Sequence, residues 1–499
     1  MLNNPKPDGM TRREWLAIVG AGSAAGLAGC TGGDGGDGGG DGGDGGGDGG
    51  DGGDGGGGGG TPDPADLPPV HFLTDYNNEP WQAYWEDDLI PAFTDATGID
   101  VDIEYSGMSG QQEGRLATLV QAGDPPAINT STFDQVADLW AADQLETTTS
   151  VTDQVESVAG DMLATPFNQN GDIWEVPHGY YTSNFHYRTD IYDELGLDVP
   201  ETFQEVMDNA QAIDEADMGI RGYGLAGQKT GKSQDEFQVY LANMGTSGIG
   251  LRWADPDAQD EVEIHFPEEE VVTLLEYFQE LAQYSPDPTG LGWATSIQNY
   301  LGGQFAQQYH LNTWPAGIAG SAGVTPIAEN TEVAPLPRWE AGGITKDDVW
   351  LYEPTPDGHH VFSQSENPAG AKEFLAWLYG DSIDRTASMY HTEPTRFLPD
   401  YADVLASDTY QGFSHWQDWP NHLEQLEYTQ NTIVGDYYGN VPESDLSGSA
   451  VAVYVTRQWF YGEMINLVVT GQNTPQEAYD WGYGRLETRV QEGRERFGG

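Results

Sequence analysis

Three kinds of side chain in this sequence could do chemistry. It holds 81 Asp and Glu, and a pair of these about 5–10 Å apart could hydrolyse a glycosidic bond. It also holds 15 Trp, 25 Tyr and 16 Phe, whose flat faces pack on the C–H faces of sugars while acid side chains accept hydroxyl hydrogen bonds. Cys30 is the only cysteine, which excludes an intramolecular disulfide framework and a cysteine-based zinc site. His359-His360 lacks a third ligand nearby, so these residues are expected to be solvated, with no metal and no cofactor.

The acids outnumber 19 basic residues, giving a net charge of -62, and they are spread through every apparent helix and loop. Such self-repulsion destabilises a compact state at low salt. In roughly molar salt the Debye length falls to about 3 Å, so this composition suits a halophile. Nucleic-acid binding is disfavoured, because the basic stripes that meet phosphates are missing. The scarcity of Lys and Arg also argues against a highly phosphorylated solute.

The N-terminus reads as an address and a tether. Thr11-Arg12-Arg13-Glu14-Trp15-Leu16 resembles a twin-arginine export signal, and Leu27-Ala28-Gly29-Cys30 resembles a lipobox whose cysteine becomes lipidated. Residues 1–30 are therefore expected to be a signal peptide. Residues 31–66 are read as a flexible, self-repelling spacer, almost only Gly and Asp up to Gly60 and with no apolar residue to bury over that stretch. The protein is expected outside the cell membrane, anchored to its outer face through Cys30.

From residue 67 the pattern alternates strands and helices. Val70-His71-Phe72-Leu73 reads as a buried strand. Trp81, Trp85, Leu89 and Phe93 recur every four residues on one helix face, stopped by Gly98. Ile99, Val101, Ile103 and Tyr105 alternate with acids as a second strand. Thr202 with Glu205, Ser233 with Glu236, and Thr474 with Glu477 have capping-box spacing, and Asn367-Pro368 opens a further helix.

Within this order, Leu119 to Gly123 followed by Pro125-Pro126-Ala127-Ile128 resembles the opening of family 1 extracellular solute-binding proteins, the group containing maltose-binding protein. The run from Val176 to Asp190 is similar to that family's proline-led strand between lobes. Leu195 to Phe203, Phe305 to Trp314, Val333 to Pro337 and Thr470 to Ala478 follow in the family's order. Arg188 departs from it, standing where asparagine is common.

The resemblance implies an α/β body over residues 67–499, made of two lobes, each a sheet flanked by helices and joined by a hinge. Lobe 1 is expected at roughly 67–176 and 333–390, lobe 2 at roughly 177–332 and 391–499. It implies capture of a mono- or oligosaccharide between the lobes by a monomer that is not an enzyme. Delivery to a membrane permease and ATPase of an ABC importer would follow. By position in the family pattern, the ligand residues are Tyr76, Asn77, Asp134, Tyr181, Trp314, Glu353, Arg396 and Trp459. Asp134 is equally suited to cap its helix, and Tyr181 and Trp314 to lie in the core. Trp81 and Trp85, on a helical stripe, are expected in the core. The rival readings are a secreted glycoside hydrolase and an anchored surface protein with no transport role.

Overall fold

The computed structural model describes residues 67–107, 110–132, 136–164, 166–169, 171–255, 261–342, 355–431, 446, 449–456 and 460–497. The signal, the tether and Cys30 lie outside these residues.

The first strand, Val70–Thr74, runs parallel to Val101–Tyr105 on one side and to Ile128–Thr132 on the other. Its apolar residues meet the helical stripe expected from sequence: Phe72 lies 5.2 Å from Trp85, whose ring stacks on Trp81. Four residues overshoot a 3.6-residue turn, so a strict four-residue repeat drifts around an α-helix. Here a π-helical stretch, Tyr84–Leu89, interrupts the helix between Glu79–Ala83 and Ile90–Thr97 and absorbs the overshoot. All four stripe residues are buried, and Gly98 ends the helix with φ 77°.

Strand Thr355–Val361 completes this sheet antiparallel to Ile128–Thr132, followed by Val176–Tyr181 and the short Leu398–Pro399. A second sheet has Ser183–Arg188 at its centre, antiparallel to Gln307–Leu311 and Thr331–Ala334. The chain is thus an α/β protein of two lobes. Val176–Tyr181 belongs to the first sheet, so the first crossing falls at Thr182, not at 176–177. Leu398–Pro399 also pairs with the first sheet, and the short helices through Asp418 stay with its core. The chain therefore returns toward the second lobe after Asp418, not at 391: Trp419 packs with a core of that lobe and His422 Nε2 donates to the Ala328 carbonyl (3.0 Å), while Leu426 of the helix Pro420–Asn431 still joins the first lobe's core.

Local signals placed several helices well. Thr202 and Glu205 form a reciprocal cap for Phe203–Glu215, and Thr474 and Glu477 do the same for Pro475–Phe497. The pairing of Ser233 with Glu236 is corrected. Thr230 is the N-cap of Gly231–Ala242 and Ser233 takes the partner's place, because Glu236 turns inward to a buried network. The helices Phe460–Val469 and Pro475–Phe497 pack on the second lobe through Tyr461 against Phe237 and Tyr479 against Phe266. Among the described residues no helix is long and apolar enough to cross a membrane.

Candidate functional site

The side chains that could hold a solute gather where the chain first crosses between lobes. Strand Val176–Tyr181 ends in Tyr181, and the next residue, Thr182, is held by Asn312 of the second lobe. Asn312 Oδ1 accepts from the Thr182 amide (2.6 Å) and hydroxyl (2.8 Å), and its Nδ2 donates to the Arg396 carbonyl (2.5 Å). Asn312 lies in the left-handed region, φ 44°, where asparagine is one of the few tolerated side chains. This turn ends strand Gln307–Leu311 and sets Trp314 at the start of helix Trp314–Ser321.

Asp357 is the acceptor at the centre. Its Oδ2 takes hydrogen bonds from Tyr181 Oη (2.9 Å) and Tyr76 Oη (3.1 Å), while Oδ1 has no partner among the described residues. The strand register shifts between Asp357 and Gly358, an irregularity of the kind that re-aims a side chain. Burial pushes the Asp357 carboxyl up, against the pull of Arg396 and the two tyrosine hydroxyls.

Arg396 is the one cation in this group. Its guanidinium lies 5.1, 4.9 and 4.7 Å from the ring centres of Tyr76, Trp314 and Phe397. Its Nη1 pairs with Glu393 Oε2 (3.0 Å). Glu393 also accepts from Trp314 Nε1 (3.2 Å) and Asn78 Nδ2 (2.8 Å), so one carboxylate ties together both lobes and the first helix. The preceding residue, Thr395, has φ 71°, a strained value for a β-branched side chain. Gly179 permits the close pass of this segment, since a Cβ there would meet the Leu398 carbonyl at 2.9 Å.

Asp75, directly after the first strand, is the third carboxylate near Arg396. It remains partly exposed. Burial raises it to about 7, Arg396 opposing and Asp357 adding to the rise. Three acids thus share one guanidinium.

Beneath them runs a neutral polar relay. Tyr379 Oη bridges His178 Nδ1 (2.8 Å) and His359 Nε2 (2.6 Å), and His359 Nδ1 meets Thr130 Oγ1 (3.0 Å). His178 packs at 4.9 Å on both Tyr76 and Phe397. Burial pushes both histidines well down, so they are uncharged near neutrality. This corrects the expectation that His359 and His360 are solvated. Both are fully buried, because their strand is interior to the sheet and successive side chains point into opposite covered faces. His360 faces Glu175 at 3.4 Å. Among the described residues no group of three His, Cys, Asp or Glu could hold a metal ion.

Of the residues expected from sequence, Tyr76, Tyr181, Trp314 and Arg396 converge on one cluster. Asn77 stands at its edge, its Nδ2 donating to the Ser106 carbonyl (2.7 Å). Asp134, Glu353 and Trp459 lie outside the described residues. Sequence reasoning missed Asp75, Asn312, Asp357 and Glu393. The lobes are shut at this point: Tyr76 is 0% and Trp314 6% exposed. Trp314 therefore lends its face to Arg396 and its N–H to Glu393.

The profile of the bacterial extracellular solute-binding proteins matches residues 75–383. The chain belongs to that family. The same two-lobed fold appears in solved structures of low identity. A Thermotoga lettingae ABC transporter solute-binding protein, bound with α-D-tagatose, has a TM-score of 0.64 at 17% identity over 84% of this chain and 98% of that one. The GacH receptor of Streptomyces glaucescens, solved unliganded and with acarbose, gives 0.64 at 16% over 86% and 100%. Maltose-bound MalE3 of T. maritima gives 0.63 at 18% over 84% and 99%. No curated protein matches the sequence. The family is one of solute-binding proteins, and membership places this chain among exported proteins.

Proposed function

We propose that this solute-binding protein captures a neutral, hydroxyl-rich solute, a sugar or a polyol, between its lobes and delivers it to the membrane permease of an ABC importer. The observation that carries this reading is Asp357, a buried carboxylate whose Oδ2 is held by two tyrosine hydroxyls while Oδ1 has no partner among the described residues. A hydroxyl-rich guest offers the group that carboxylate already binds. In an opened form Asp357, Asp75 and the rings of Tyr76 and Trp314 face solvent. Ligand hydroxyls then take the place of the tyrosine hydroxyls, and its C–H faces take the rings. Closure follows because only the shut form makes contacts from both walls. Three acids around one guanidinium disfavour an anionic guest. Solved relatives of this fold carry tagatose, acarbose and maltose in their structures, which supports the same solute class here.

Attachment at Cys30 and the Gly/Asp tether complete the proposal: the body stays at high local concentration beside its permease, on the outer face of the membrane. Asn77, Asp134, Glu353 and Trp459 remain proposed ligand contacts. The experiment is a thermal-shift screen of sugars and polyols in molar KCl, followed by calorimetric titration of those that stabilise. Saturable binding without turnover is expected. Released product would favour a hydrolase, and no stabilisation by any compound would favour an anchored surface protein.

A further inference from the structure

The C-terminal helix Pro475–Phe497 belongs to the second lobe, yet its end rests on the first. Arg496 Nη1 pairs with Asp138 Oδ1 at 2.5 Å, and the Phe497 ring lies 6.4 Å from Trp140 at an interplanar angle of 22°. At this seam, away from the lobe crossing, lies a cavity of about 360 Å³ lined by Trp140, Leu145, Trp174, Asp143, Arg496 and Phe497, among others. That volume falls within the usual range for small-molecule sites, roughly 300–1,000 Å³.

The chemistry of the walls selects the occupant. Trp174 stands 6.4 Å from Trp140 at 67°, so the two indoles form adjacent walls of a corner that Phe497 extends. All three rings are only partly buried, unlike Trp81 and Trp85, which are closed into the core. The Trp174 Nε1 donor is buried with no partner among the described residues. Asp143 supplies an exposed carboxylate on a left-handed backbone, φ 53°, fixed by Ser363 Oγ donating to its carbonyl (3.2 Å). Arg496 is committed to Asp138 by its ion pair and by a hydrogen bond from Nη2 to the Asp138 carbonyl (3.3 Å). It therefore offers no free cation for a phosphate or carboxylate. Flat rings, one indole donor and one carboxylate acceptor match a sugar ring, with C–H faces against the rings and hydroxyls to the polar pair.

We propose that this seam is a second binding site, for a neutral mono- or disaccharide, separate from the cluster at the lobe crossing. It stands on its own residues and does not depend on what the crossing binds.

Saturation-transfer difference NMR on the full chain in molar KCl, with D-glucose, D-mannitol and maltose as probes, tests it. At least one of the two sugars is expected to bind in the millimolar range through a component that Trp140→Ala/Trp174→Ala weakens about tenfold and Asp357→Asn leaves unchanged. Asp143→Gly, which the left-handed backbone accepts, is expected to weaken the same component and serves if the double variant does not fold. Retention of the signal in these variants overturns the proposal. Its complete loss in Asp357→Asn, or the absence of any component sensitive to the seam substitutions, does so too. Failure of the crossing to bind sugar would leave the seam component in place, so the two proposals fail separately.

Discussion

Two groups of buried charges lie on either side of the hinge and behave differently. Inside the second lobe, Lys232 and Glu236 are fully buried 3.7 Å apart. Lys232 Nζ donates to the Tyr309 carbonyl (2.7 Å), and Glu236 accepts from Tyr223 Oη (2.9 Å) and the Ala226 amide (3.1 Å). Burial drives Lys232 down and Glu236 up, each opposed by the charge of the other. Every partner comes from the same lobe. At the crossing, Asp357 and Arg396 are buried to a similar degree; Asp357 takes both tyrosine hydroxyls from its own lobe, but Arg396 lies against Trp314 of the second lobe and its carbonyl accepts from Asn312 there. Asp357 Oδ1 and Arg396 Nε have no partner among the described residues. Burial of charge alone does not mark a site. Spare valence beside an arginine held from both lobes does.

The sharpest way to break this comparison is in the second lobe. Lys232→Met leaves Glu236 as an unpaired buried carboxylate and is expected to cost about 3–5 kcal/mol of stability. Chemical denaturation in molar KCl measures it, with unchanged ligand affinity in the protein that remains folded. An equal loss of affinity would make the pair part of the site. A smaller effect sharpens the other half. Burial pushes the Asp75 carboxyl up from the usual aspartate range to about 7. Between about pH 4 and 7 the folded state binds more protons here than the unfolded state, so this group lowers stability as pH rises through that window. A solute whose hydroxyls hydrogen-bond to the ionised form is expected to release a fraction of a proton on binding at pH 7. Calorimetry in two buffers of different ionisation enthalpy reads that fraction, and Asp75→Asn abolishes it. Unchanged proton release in the variant would remove Asp75 from the linkage.

Much of the fold was legible because its signals are local. The Trp81 to Phe93 stripe, the Thr202 and Thr474 caps and the Asn367-Pro368 helix start depend on neighbours within a turn or two. The crossing residues Tyr76, Tyr181, Trp314 and Arg396 were found through their order along the chain, since no periodicity brings residues 76 and 396 together. Asp357 escaped because Pro356-Asp357-Gly358 has the composition of a turn. Here it lies in an interior antiparallel strand whose register shift aims the carboxylate at two tyrosines. His359 and His360 misled for the same reason: only the sheet's strand order shows that both of their faces are covered. The lobe boundaries shifted because Leu398–Pro399 pairs with Val176–Tyr181 across more than two hundred residues of intervening chain, an affinity no local pattern carries.

The central claim is that Asp357 grips a hydroxyl-rich guest as the lobes shut. Calorimetric titration of the intact chain and of Asp357→Asn with the best-stabilising sugar or polyol, in molar KCl, tests it most directly. Wild type is expected to bind saturably and the variant about a hundredfold more weakly, the loss of a charge-assisted hydrogen bond worth roughly 1.5–3 kcal/mol. Equal affinity in the two proteins would contradict it.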